Sequence, residues 1–462
     1  MKQVLVLCVM IVAGTVTAVV HPFFGILPYY VLAVLRPQSL WDWALPDGVR
    51  WSLYAAAGAV LGVILSLPRV MSRMEWNRVT VLIVLFGSMV MISCVNAMHS
   101  GVAGQWAQEY LKIFVMAGIA TMVIETFSHL RYLTWMMVAT IGYLAWEFNS
   151  RYIFDGRLDI FTHGHGGWDN NGVGLLIAMG LPFAYWLGMA HRSMWFKAGA
   201  VFLGLLMIHA VMLSYSRGAM VAAIVGLGWL GWNHRPRWHT AAAVLPLVVA
   251  VLFLAGPEIR DEFVSISSYH EDASAQSRFD SWSAAWQIAW DHPLTGVGVR
   301  NGNLFSQAYG ADMFGRTIHN QYLQVAADNG IPAASVYLLL GFTAWWCVRR
   351  TRKRLYAEAG IIEQESDGDP ESEELDRADQ MRSAAVMALA FETGMMVFFF
   401  GGLFLSLETF EIAWLLFVLA GSMPRIAERH FDIPILGNPA DFTMTRRMPP
   451  PLLLRRPAIT RY

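Results

Sequence analysis

The sequence predicts an all-α, polytopic integral membrane protein of twelve or thirteen transmembrane helices, with one large outer loop containing an amphipathic helix. Three observations predict it. Of 462 residues, 56% are apolar, and the mean hydropathy is +0.44. Only 33 basic and 34 acidic residues are present, and seventeen of these charges crowd into 349–382. Elsewhere charge is far sparser than the one residue in four usual for soluble domains. Residues 79–98 and 172–190 contain no charge at all, and ~20 mostly apolar residues suffice to cross the hydrocarbon core. The period-2 alternation of a β-barrel is missing, which leaves helices. Soluble enzymes, secreted disulfide scaffolds and disordered chains are excluded. A net charge of −1 excludes a nucleic-acid footprint. Cys8, Cys94 and Cys347 lie far apart in apolar runs and read as small buried hydrophobes.

In chain order the candidate spans are 3–20, 23–35, 51–67, 79–98, 110–126, 131–148, 172–190, 198–215, 218–232, 240–256, 333–348, 383–403 and 409–424. The second is short for a span. Lys2, the apolar run 4–13 and Val16-Thr17-Ala18 also resemble a signal peptide, so the count stays at twelve or thirteen. Basic residues orient the helices. Arg349 to Arg354, Arg69/Arg73/Arg78, Arg192/Lys197, Arg235/Arg237 and the arginine-rich tail are expected inside, which puts 36–50, 97–108, 149–171 and 257–332 outside.

The resulting organisation is a bundle with short loops (1–256), a large outer catalytic loop (257–332), a span (333–348), a charged cytoplasmic linker (349–382), two further spans (383–424) and a basic cytoplasmic tail (425–462). Composition makes the linker flexible. The outer loop is too long for a passive connector.

Within that loop, Ser277-Arg278-Phe279-Asp280 has the form of a capping box. Trp282, Ala285, Trp286, Ala289 and Trp290 follow at helical spacing, as on an amphipathic helix lying at the membrane surface. Arg278 is then the first helical residue, where a cation is disfavoured unless an anion sits beside it. That anion is either Asp280 or a bound phosphate. Arg217, in Ser214-Tyr215-Ser216-Arg217-Gly218, repeats the arrangement at the start of the next span. A single outer-face arginine reads as one snorkelling to headgroups. Two at helix starts, with Arg300 and Arg316 in the same loop, point to an anion site, because guanidinium forks engage two phosphate oxygens at once.

His319-Asn320 precedes an apolar helix. Such a histidine either caps the helix or takes a proton from a hydroxyl near neutral pH. His163-Gly164-His165 lacks a metal-ligand partner at standard spacing and reads as a flexible loop. His209 reads as a core histidine. Glu392, inside an apolar span, is functional by default with no partner evident. No metal or cofactor motif is visible.

His319-Asn320, nine residues and then Gly330 resemble the signature of the bacterial O-antigen ligase family and its polymerase relatives, with Ala333 at a position where the family has Gly, Thr or Val. Ser216-Arg217-Gly218-Ala219 resembles the family's S-R-G-A span start. Ser277-Arg278-Phe279-Asp280-Ser281-Trp282, His292-Pro293-Leu294 and Gly296-Val297-Gly298 resemble its large periplasmic loop. Asp169-Asn170-Asn171, His21-Pro22-Phe23 and Arg36-Pro37-Gln38 are similar to the exosortase A-associated putative O-glycosylation ligases.

The resemblance implies transfer of a preassembled glycan from a polyprenyl diphosphate carrier to an acceptor hydroxyl, on the periplasmic side of the bacterial inner membrane. Arg217, Arg278 and His319 take the catalytic positions. Arg300 and Asn320 are expected to bind substrate, and the transferase is expected to be metal-independent. A polymerase extending the same lipid-linked glycan has the same motifs. A non-enzymatic flippase or transporter would instead carry a midplane site on broken, repeated helices, whereas the polar residues here are at the outer surface and no repeat is evident.

Overall fold

The computed structural model describes residues 2–46, 48–74, 76–233, 273–365 and 373–436. The expected span 240–256, Arg235, Arg237, the first part of the large loop and the tail from 437 lie outside the described residues. Every regular element among the described residues is helical.

The N-terminal helices are α1 (Lys2–Val20), α2 (Phe23–Leu35), α3 (Pro37–Leu40), α4 (Trp51–Leu65) and α5 (Leu67–Arg73). α1 packs on α2 and α4 as a full member of the bundle. Gly58 and Gly62 permit the close crossing: a methyl group on Gly62 would sit 2.7 Å from Ala18 Cβ, the small-residue packing typical of helices in lipid. α4 and α5 meet at 81°. There follow α6 (Arg78–Val95), α7 (Ser100–Val123), α8 (Phe127–Asp155), α9 (Asp159–His163), α10 (Asn170–Ala190), α11 (Met194–Leu213) and α12 (Arg217–Asn233). Starts are set by caps: Asn77, Thr126 and Asp169 each accept a backbone N–H of the first turn.

After the undescribed stretch come α13 (Ala273–Asp291), α14 (Asn301–Phe305), α15 (Gln321–Asn329), α16 (Ile331–Glu365), α17 (Glu373–Gly401) and α18 (Glu411–Phe431). Six described helices are individually long and apolar enough to cross a membrane, and the bent pair α4–α5 makes a seventh. α7, α8 and α18 have the length but carry charges, and α2 and α12 are shorter. Buried fractions separate the layers. In the apolar windows of α10 and α17, 78% and 83% of residues are buried, against 17% for α1 and 28% for α11. α10 and α17 therefore form the protein-packed centre, around Trp414, Phe391, Phe398 and Phe183, while α1 and α11 present apolar side chains outward.

Two expectations change here. The charged linker is helical on both flanks, as extensions of α16 to Glu365 and of α17 back to Glu373. Ala, Glu, Arg and Leu are strong helix formers. Leu355, Ala359, Ala378 and Met381 also pack into a small core with Ala427 and Phe431, and Arg382 bonds Glu363 across the pair. The tryptophan stripe of α13 is also divided. Ala284, Ala285, Ile288 and Ala289 are buried, against α15 and the turn at Val297, while Trp286 and Trp290 are more than half exposed. The indoles are free for an interface, and the alanines are used by the protein.

Candidate active site at one end of the bundle

The starts of α10, α12 and α16 lie at the same end of the bundle as α13–α15. The motif glycines explain how that end is built. After α13, His292 to Gly298 folds back on α15: Val297 N–H donates to Ala327 O (3.0 Å), Gly298 N–H to Asp328 O (2.9 Å) and Ile331 N–H to Pro293 O (2.8 Å). Gly330 has φ +87°, and a methyl group there would meet Leu294 O at 2.4 Å. Only glycine satisfies both conditions, which is the physical content of the His-x-x-x-gap-Gly spacing.

α15 is capped by Asn320, whose Oδ1 accepts from Tyr322 N–H and Leu323 N–H at 3.1 Å each. Asn320 thus serves as the helix cap, and neither it nor Arg217 is in the wall of the cavity described below. His319 stands just outside the helix with φ +51°. That left-handed conformation is uncommon for a non-glycine residue and clusters at functional sites. Of the five such residues among the described ones, four lie at this end: Arg36, Tyr215, Arg300 and His319.

A cavity of about 600 Å³ opens here, and Arg36, Lys112, Asp169, Arg300, His319 and Glu411 are among its walls. Arg300 Nη2 lies 3.0 Å from Glu408 Oε1, and its guanidinium sits 4.5 Å over the Trp106 ring. Glu408 is 1% exposed, and neither of its oxygens completes a hydrogen bond in the structure. The Arg300 pair therefore has electrostatic contact with incomplete hydrogen-bond geometry. Arg36 lies 3.6 Å over Trp168, donates to Gly166 O and reaches Glu411 at 3.3 Å; Lys112 reaches the same carboxylate at 3.3 Å.

His319 is half-buried, and its pKa is pushed down to about 4, first by burial and then by the Arg278 guanidinium, against the opposing pull of Asp169. The ring is therefore neutral near pH 7 and able to accept a proton. Arg278 does not line the cavity, yet it acts on His319 because Ser281 Oγ, one turn on, donates to Ile318 O at 3.3 Å. α13 starts at Ala273, so Arg278 is in its second turn and the expected first-residue placement is corrected. Asp280 accepts from Gln276 at 3.2 Å.

Arg217 does begin α12, behind Ser216, whose Oγ accepts from Ala219 N–H (3.2 Å) and donates to Asn171 Oδ1 (2.7 Å). Asn170 Nδ2 donates to Ser214 O at 2.9 Å. These bonds fasten the Arg217 turn to the first turn of α10, whose cap Asp169 is in the cavity wall with His319. Arg316 is engaged elsewhere: its Nε donates to Asp312 Oδ1 at 2.6 Å. His165 is not in a flexible loop. It is buried, its Nε2 bonds Leu35 O at 2.8 Å, and burial pushes its pKa down to about 4.

Sequence reading gave Arg36 only as part of a motif, with no role, and missed Lys112, Glu408, Glu411 and Asp328. Four of these five are charges in or beside apolar spans, the one signal that could have found them. Asp328 carried none beyond its place in the His319–Gly330 interval. Glu392, which had no evident partner, is fully buried and accepts from Arg352 Nε (2.6 Å) and Arg349 Nη1 (3.0 Å). It lies away from this cavity, beside the middle of α16.

Fold and site together define a multi-pass, all-α membrane protein whose helix ends converge on a cavity of arginine, histidine and carboxylates. Residues 202–338 match the family described as O-Antigen ligase, and residues 1–156 match a family of unknown function (DUF5935). Through residues 202–338 the chain carries an O-antigen ligase-type domain, which supports glycan processing of the ligase or polymerase type at a membrane. No curated protein matches the chain. Arg217, Arg278, Arg300 and His319 all fall in the ligase-matched region, whereas Arg36 and Lys112 belong to the other. The cavity is therefore a joint product of both.

Proposed function

We propose that the protein transfers a preassembled glycan from a polyprenyl diphosphate carrier to an acceptor hydroxyl, at a cavity facing the periplasm from a bacterial inner membrane. The observation that carries this reading is His319: a neutral imidazole in the wall of a cavity whose other charges include Arg300 and Arg36, with Arg278 acting on it from α13. The His319 ring accepts the proton of the acceptor hydroxyl as its oxygen attacks the anomeric carbon. The bond from that carbon to the diphosphate oxygen breaks, and the electron pair leaves on the diphosphate. Arg217 and Arg278 stabilise that developing charge, each guanidinium offering two parallel N–H donors. Arg300, held by Glu408, orients phosphate or sugar.

Purified protein in lipid, supplied with a polyprenyl-diphosphate glycan and a hydroxyl acceptor, tests this directly. His319→Ala and Arg217→Ala are expected to lower the transfer rate by about 10²–10³-fold. Full transfer by both variants would overturn the mechanism.

A further inference from the structure

The opposite ends of α10 and α12 meet the middle of α16 around a second cavity, of about 820 Å³, that the transfer reaction does not use. α10 alone has 21 residues, so at 1.5 Å per residue the two cavities are separated by roughly 30 Å, the thickness of a hydrocarbon core. Six cations are in its wall: Arg192, Lys197, Arg349, Arg352, Lys353 and Arg382. Three acids answer them. Asp379 pairs with Arg192, Glu363 with Arg382, and Glu392 with both Arg349 and Arg352. Among the described residues, no carboxylate lies within ion-pair distance of Lys197 or Lys353. Among the described residues this leaves a net excess of three positive charges, and a recess of this size and charge favours an anion with several oxygens.

A second feature shows what the anion is attached to. Arg349 lies 5.1 Å over the Trp229 ring and 4.9 Å over the Trp345 ring. Those two indoles also form part of an apolar groove of about 500 Å³ that runs along α16 past Phe342 and Gly341 towards Tyr337, with Phe399 on its other wall. Basic recess and apolar groove thus share Arg349 as their boundary. A ligand with a phosphate at one end and a hydrocarbon chain at the other fits both, whereas free phosphate fits only the first.

We infer that this end of the bundle is a binding site for an anionic phospholipid, with the phosphate headgroup held by Lys197 and Lys353 and an acyl chain laid along the Trp229–Trp345–Phe342 groove. The basic recess is independent of the proposed transfer chemistry, while the far end of the groove reaches Tyr322 of α15.

Native mass spectrometry of the purified full chain, with phosphatidylglycerol, phosphatidylcholine or soluble glycerol phosphate added in turn, tests it. Retention of phosphatidylglycerol is expected to exceed that of phosphatidylcholine, and to fall on the order of tenfold in Lys197→Ala/Lys353→Ala. Lys197→Arg/Lys353→Arg, which keeps charge at both positions, should retain the lipid. Arg69→Ala/Arg73→Ala, basic residues outside the cavity, should leave retention unchanged. Equal retention of the two lipids, an undiminished signal in the double alanine variant, a matching loss in the Arg69/Arg73 control, or glycerol phosphate bound as firmly as the lipid would each overturn the proposal. A single monodisperse peak for each variant establishes that it is folded.

Discussion

The carboxylate of Asp328 accepts the backbone N–H of Arg300 at 2.8 Å, and so ties the helix that follows His319 to the turn that presents Arg300. The same side chain accepts from Gly302 N–H and Gln324 Nε2, each at 2.8 Å. Arg300 has φ +57°, a conformation an arginine does not adopt without compensation. Asp328 supplies it. Burial and the Glu408 charge push the Asp328 pKa up to about 7, so this anchor is sensitive to what surrounds it.

Asp328→Ala leaves three buried donors without their acceptor. It is expected to cost about 3 kcal/mol of stability and to raise KM for the lipid-linked donor more than it lowers kcat, since Arg300 is displaced while Asn320 still caps α15 beside His319. Thermal unfolding in detergent, together with steady-state kinetics, checks both. An unchanged melting temperature would show that the Arg300 turn holds itself.

On the proposed mechanism, the pH profile of transfer follows from His319. A general base with its pKa pushed down to about 4 stays deprotonated through the neutral range, and activity is lost only as protonation sets in below it. The acid limb of kcat/KM should therefore lie near pH 4, and not near 6.5. Arg278→Ala removes one of the groups that disfavour the charged ring, so its residual activity should show an acid limb moved upward. A limb that stays in place would separate Arg278 from His319. The sign for stability is the same: between pH 6.5 and 4 the unfolded chain binds a proton that the folded histidine refuses, so His319 lowers stability as pH falls through that window.

Arg278→Lys keeps the charge and loses the fork. Where two phosphate oxygens are gripped together, lysine cannot replace arginine, and kcat is expected to fall well below wild type even in low salt. Recovery of full activity would mean that a point charge suffices.

Legibility differed by physical origin. Helices were readable wherever apolar runs exceeded a bilayer, and the turn at Arg217 wherever a capping serine preceded a span. The Arg278 placement failed because capping-box residues recur inside helices: Ser277 and Asp280 sit within α13, which already includes Ala273. Asn320 and His319 are adjacent, and sequence could not say which of them caps. The cavity walls were least legible. Arg36 and Glu411 meet across 375 residues, and no local pattern encodes such a pair. The fold alone brings the N-terminal unit onto the ligase-matched region.

Glu392 supplies the last prediction. An acid inside an apolar span suggests catalysis, but its environment is that of a structural ion pair: fully buried, 2.6 Å from Arg352, which is itself 5% exposed. Removing one member of a buried pair strands the other, a cost of about 3–5 kcal/mol, whereas replacing the pair with apolar groups is often neutral. Glu392→Ala should therefore lower the melting temperature markedly while the molecules that remain folded transfer glycan at the wild-type rate. Glu392→Leu combined with Arg352→Met and Arg349→Met should recover much of the stability, because no charge is left buried alone. Activity per folded molecule is the deciding measurement. If it collapses in Glu392→Ala while His319 and the cavity are intact, the acid does more than pair with its arginines.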